Sequence, residues 1–134
     1  MATRISAALT LTGSGCEPDE ISKQVGTTPT ETWKLGERIQ NTMLRREHNG
    51  WSLSTGLQES DDLGQQMRTL LDQLRPYFFE LKDCCTRWNL NAEIACVIYS
   101  EGEIPAIHFD HDIIEGFAEL GAEIDVDFYI LNPT

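Results

Sequence analysis

Three segments of the chain alternate apolar and polar side chains one for one, a period that suits a strand with one buried face. In residues 4–12, Ile5, Ala7, Leu9 and Leu11 share one face, while Arg4, Ser6, Ala8, Thr10 and Thr12 share the other. In residues 92–100, Ala92, Ile94, Cys96 and Ile98 alternate with Glu93, Ala95, Val97 and Tyr99. In residues 123–131, Ile124, Val126, Phe128 and Ile130 alternate with Glu123, Asp125, Asp127 and Tyr129. A slip of one residue would turn each apolar row to solvent, so the pattern demands a sheet with one face covered.

Between these segments the period becomes helical. Pro18 stands at the start of a short helix with Glu17, Asp19 and Glu20 at its positive end, Ile21 and Val25 inward and Gly26 as stop. Ser60 is the expected N-cap of a longer helix, in which Leu63, Met67, Leu70, Leu71 and Leu74 repeat at helical spacing until Pro76 ends or kinks it. A further helical stretch over 77–87 brings Phe78, Leu81 and Cys85 to the core. Asp110 is expected to cap a last helix with Ile113, Ile114, Phe117 and Leu120 as its buried stripe and Gly121 as its stop. Residues 27–41 read as an ordered loop pinned by Trp33. Asn49-Gly50, between Thr42–His48 and Trp51–Thr55, predicts a hairpin with a two-residue turn. The order β-α-β-β-α-β-α-β, with the middle helix split at Pro76, implies an α+β fold. Its single mixed or antiparallel β-sheet would have about five strands, with helices packed mainly on one face.

A chain of 134 residues fits one globular domain, here 1–134, with a continuous core. No apolar run is long enough to span a bilayer, and the first residues lack a signal peptide, so a cytoplasmic location is expected. Cys16, Cys84, Cys85 and Cys96 contain no C-x-x-C pair and read as reduced packing residues. The net charge of −12 argues against nucleic acid and against an anionic membrane as partners. The charge is unevenly placed: residues 88–134 hold ten of the 22 acidic side chains and none of the ten basic ones.

An ordered set of short motifs runs through the chain: Pro18-x-x-Ile21, Gly26 followed by Pro29, Trp33-Lys34-x-Gly36, Gly50-Trp51-x-Leu53-Ser54, Leu70-Leu71-x-x-Leu74-x-Pro76, and Glu119-Leu120-Gly121-Ala122 through Asp127-x-Tyr129. Together they resemble the bacterial family known as domain of unknown function 4279. The resemblance implies a small bacterial cytoplasmic α/β domain that usually stands alone, and it brings no activity with it. Small acidic proteins of this kind are often immunity proteins or inhibitors of toxins and nucleases, an association of class and not of motif.

The acidic segments are the strongest candidate site. Glu123, Asp125, Asp127 and Tyr129 would line the uncovered sheet face, joined by Glu93 and Tyr99, with carboxylates two residues apart separated by about 7 Å. Asp112, Glu115 and Glu119 form an i, i+3, i+7 stripe on the last helix. Such a surface suits a basic protein partner, such as a toxin or nuclease, whose association it would accelerate. The plain alternatives are a solvated sheet face or a cation site. His108-x-Asp110-His111 is the one metal-like cluster, although Asp110 has a simpler role as helix cap, and no metal or other cofactor is expected. Neither a G-x-S-x-G elbow nor a phosphate-binding loop is present, so the reading leans away from an enzyme. Trp33, Trp51 and Trp88, with Tyr77 and Phe79, read first as packing anchors. The sequence thus points to a non-enzymatic binding module of immunity or inhibitor type. A small-ligand or metal-binding domain and a structural or regulatory subunit are the alternatives.

Overall fold

The structure, a computed structural model, describes residues 3–131. The first alternating segment forms β1 (Arg4–Gly13), with Ile5, Ala7, Leu9 and Leu11 buried and the intervening side chains half-exposed. A short helix α1 (Pro18–Val25) follows, with Ile21 and Val25 inward. It ends at Gly26, whose φ of 84° is the left-handed conformation that a glycine stop provides. Then come β2 (Glu31–Trp33), β3 (Asn49–Ser54) and the two-residue β4 (Gln58–Glu59). Helix α2 (Leu63–Leu74) buries Leu63, Met67, Leu70, Leu71 and Leu74. A 3-10 turn at Arg75–Tyr77, placed by Pro76, leads into α3 (Phe78–Trp88). The chain continues through β5 (Asn91–Ser100), α4 (His111–Glu119) and β6 (Glu123–Ile130).

These elements make one six-stranded sheet in the order β2-β3-β1-β5-β6, with β4 pairing the start of β1. All pairings are antiparallel except β5–β6, which is parallel and therefore joined by a crossover carrying α4. The inward rows of β1 and β5 lie side by side, Ile5 opposite Ile98 and Leu9 opposite Ile94, and both rows are buried with the apolar faces of α1, α2, α3 and α4 in one core. Among the described residues the opposite sheet face carries no helix. This is the expected α+β architecture, with one more strand than the sequence suggested.

Several local expectations are corrected. Asn49-Gly50 is not a hairpin turn: both residues open β3, and residues 34–48 form a long irregular excursion closed by a bridge between Arg38 and Arg45. Gly50 is required because the Trp33 indole lies on it, and a β-carbon there would fall inside the ring. Trp33 itself belongs to a strand, although it pins the segment as expected. The cap of α2 is Asp62, whose carboxylate accepts from the Gln65 N–H at 3.3 Å. Ser60 instead accepts from the Asp62 N–H at 3.1 Å. In α3 the buried pair is Leu81 and Cys84, while Phe78 and Cys85 are only partly covered. Ile114 does not join the buried stripe of α4 and is 53% exposed.

The largest correction concerns β6. Its apolar row was expected to pack beneath the helices, yet Ile124, Val126 and Ile130 are 39%, 37% and 64% exposed, and only Phe128 packs against the core. The cause is position. β6 is the edge of the sheet, and α4 directs Ile113, Gly116 and Phe117 toward α2 and the core, so the helical layer stops short of the last strand. No helix among the described residues is long and apolar enough to cross a membrane.

Candidate functional site

The parallel register of β5 and β6 assembles the acidic surface. Glu93 stands opposite Glu123, Ala95 opposite Asp125, Val97 opposite Asp127 and Tyr99 opposite Tyr129. All of these side chains point away from the helices, onto the uncovered face. Glu123, Asp125 and Asp127 are exposed, and Glu93 is half-buried. Partial burial raises the pKa of Glu93 first, and repulsion from Asp125, Glu123 and Asp127 raises it further. The four carboxylates therefore share one field, with no basic side chain paired to any of them among the described residues.

Tyr99 and Tyr129 stack with ring centroids 5.2 Å apart and close one end of this row, and the Arg4 guanidinium lies 6.0 Å from the Tyr99 ring. Toward the middle of the sheet the surface becomes low and mostly neutral. Ser6, Ala8 and Thr10 of β1 neighbour Val97, Ala95 and Glu93 on one side, and Ser54 and Ser52 lie opposite Ala8 and Thr10 on the other. The Thr10 and Ser52 hydroxyls are 3.3 Å apart. Beyond them Trp33 covers Gly50, and the Arg46 guanidinium sits 4.2 Å above the indole. The uncovered face thus runs from an anionic edge across small side chains to an aromatic edge, where Arg46 also lies 3.9 Å from the Glu31 carboxylate.

The second acidic group lies elsewhere. Asp112, Glu115 and Glu119 are exposed on α4, in the helical layer, on the other side of the sheet from Asp125 and Asp127. They are also less purely anionic than the sequence suggested. Glu115 lies 2.8 Å from His111, and Arg68 of α2 feels Asp112 and is paired to Asp110 at 2.6 Å. The residues proposed as one partner surface accordingly divide into a sheet-face group and a helix group.

Around His108 the polar groups have local partners. Asp110 caps α4, accepting from the Ile113 N–H at 3.1 Å, and that bond together with Arg68 holds its carboxyl below the ordinary range. The His108 carbonyl rests against the first turn of α2, where Gly64 leaves room for it, and Ala106 bonds to both Asp61 and Leu63. Among the described residues no three His, Cys, Asp or Glu side chains converge as a metal site would need. All four cysteines are free thiols. Burial pushes Cys84 and Cys85 up to about 11 and Cys96 up to about 12, a range in which almost no thiolate is present at neutral pH. Trp51 is fully buried, with its indole N–H donating to the Ser22 hydroxyl at 3.0 Å, a packing role.

The exposed apolar row of β6 and, on the opposite face, the small-residue surface beside the carboxylates escaped the sequence reading. The polar alternation of β1 signalled that surface, but its juxtaposition with the carboxylates depends on a strand pairing between residues some ninety positions apart. No curated protein and no solved structure matches the chain. The family described as Domain of unknown function (DUF4279) matches residues 3–131, nearly its whole length. The chain, an open mixed sheet backed by helices on one face, belongs to that family.

Proposed function

We propose that this chain is a non-enzymatic, cytoplasmic protein-binding module of immunity or inhibitor type, which uses its acidic sheet edge to neutralise a basic protein such as a nuclease toxin. One observation supports this reading above the others: Glu93, Glu123, Asp125 and Asp127 are gathered on an uncovered face with no basic side chain paired to them among the described residues, and the pKa of Glu93 is raised by its partial burial and then by repulsion from the other three. A cationic partner would relieve that repulsion, which makes the free energy of association favourable and dependent on salt. Carboxylates about 7 Å apart along a strand also approximate the spacing of phosphates along a nucleic-acid strand, which suits occupation of a nuclease's substrate groove.

Division of the acids between two faces sharpens the test. The product of the reading frame immediately upstream is expressed with this chain and with two triple charge reversals, Glu123→Lys/Asp125→Lys/Asp127→Lys and Asp112→Lys/Glu115→Lys/Glu119→Lys. The sheet-edge reversal is expected to abolish co-purification and protection from that product, and the helix reversal to leave most of both. Equal binding by the wild type and the sheet-edge reversal would sink the proposal.

A further inference from the structure

We infer that the free edge of β6 is a strand-docking site, which takes from its partner an extended segment alternating basic and apolar residues. The inference rests on the acidic surface being a protein-binding one, and it adds the mode of binding and the pattern of the bound segment.

Three features of β6 coincide. Among the described residues its eight residues pair only with β5, which leaves one side of its backbone with N–H and C=O groups that no described strand takes up. The opposite edge of the sheet, β2, is only three residues long and offers no comparable template. On the helix side of β6, Ile124 and Val126 are more than a third exposed, with Ile114 of α4 and Ile130 more than half exposed. An added strand would set its own apolar side chains beside that row and widen it into a continuous apolar surface. On the other side the same strand carries Glu123, Asp125 and Asp127.

The occupant follows from charge. A second copy of this chain is disfavoured: antiparallel pairing of two β6 strands about Val126 would set Asp125 against Asp127 of the other copy, and like charges directly opposite on a sheet destabilise it. A segment with Lys or Arg at alternate positions sets the β-carbons of its cationic residues about 5 Å from those of the same acids, within reach of an ion pair, while its intervening apolar residues lie beside Ile124 and Val126. Backbone hydrogen bonds then supply affinity and the alternation supplies specificity, as in other strand additions.

The test uses the full chain and four capped synthetic octapeptides: alternating Lys and Val; four Lys followed by four Val; the alternating peptide N-methylated at every second amide; and alternating Ser and Val. Affinity is read by fluorescence anisotropy and location by amide hydrogen exchange. The alternating Lys/Val peptide is expected to bind at least tenfold more tightly than the block and N-methylated peptides and to slow exchange within Glu123–Ile130. Val126→Lys, which places a charge in the exposed apolar row, is expected to weaken it at least tenfold while thermal unfolding shows the fold intact. Asp125→Ser/Asp127→Ser provides a second weakened variant that removes charge without adding bulk. Equal affinity for the alternating, block and N-methylated peptides, or no binding of the alternating one, overturns strand docking and leaves the acidic-surface reading to its own charge-reversal test. Equal binding of the Ser/Val peptide, with β6 protected, upholds docking and overturns the role of charge.

Discussion

At the scale of single residues, two positions carry more consequence than their chemistry suggests. Gly50 exists to admit the Trp33 indole, so Gly50→Ala forces the ring and with it β2 away from β3. The expected loss is about 1–3 kcal/mol by urea denaturation, the usual range for overpacking. It should shrink markedly in a Trp33→Ala background, where nothing occupies the space. Glu93 illustrates the opposite case, a group in an unfavourable place. Its folded pKa is raised above the ordinary value of 4.5, so the folded state holds its proton more tightly than the unfolded chain does. Its ionisation therefore costs stability as pH rises through and above the ordinary glutamate range, and that loss is recovered on acidification into the range. Glu93→Gln is expected to raise the melting temperature at pH 7 and to lose that advantage as the pH is lowered toward 4.5. A melting temperature unchanged at both pH values would show that the carboxylate field is too screened to matter.

Among elements, α4 depends most on the residue that caps it, Asp110. Asp110 holds the Ile113 N–H and Arg68 together, and its depressed pKa means that this stabilisation is present above the ordinary aspartate range and is lost as pH falls through the folded value. Asp110→Ala is expected to lower the melting temperature at pH 7 and to speed amide exchange in the first turn of α4. Asp110→Asn, which still accepts at a cap, should spare most of the exchange protection. The legibility of elements follows how strongly their pattern is duplicated. The rows Ile5–Leu11 and Ala92–Ile98 were readable because each of their inward positions is both apolar and buried. Asp110 and Gly26 were readable because caps are local. Asn49-Gly50 misled because the same pair that favours a turn also serves where a ring needs a bare backbone. The two-residue β4 and three-residue β2 are too short to show a period. The row of β6 has the alternation of a buried strand, and its exposure reflects only its place at the sheet edge, which no local pattern encodes.

For the whole molecule, the sequence located the excess charge in the last third of the chain, and the fold decided how that charge is divided. A parallel pairing across α4 brought Glu93 to the β6 acids, while the helix stripe was turned to the other side. The candidate site consequently keeps six of the nine residues that sequence proximity implied and is more concentrated. The strand order has a further consequence, for biosynthesis. Of the described elements β1 is made before the others, yet it is central, and its neighbours β3 and β5 begin only at residues 49 and 91. Non-local pairing of this kind folds slowly, because a long loop must close before any contact rewards it. On the ribosome the Ile5–Leu11 row therefore emerges long before its partners, and the sheet cannot be completed around it until Ser100 is free. Of the described strands this apolar row spends the longest time without a place to be buried, and the cell must keep it from finding the wrong one.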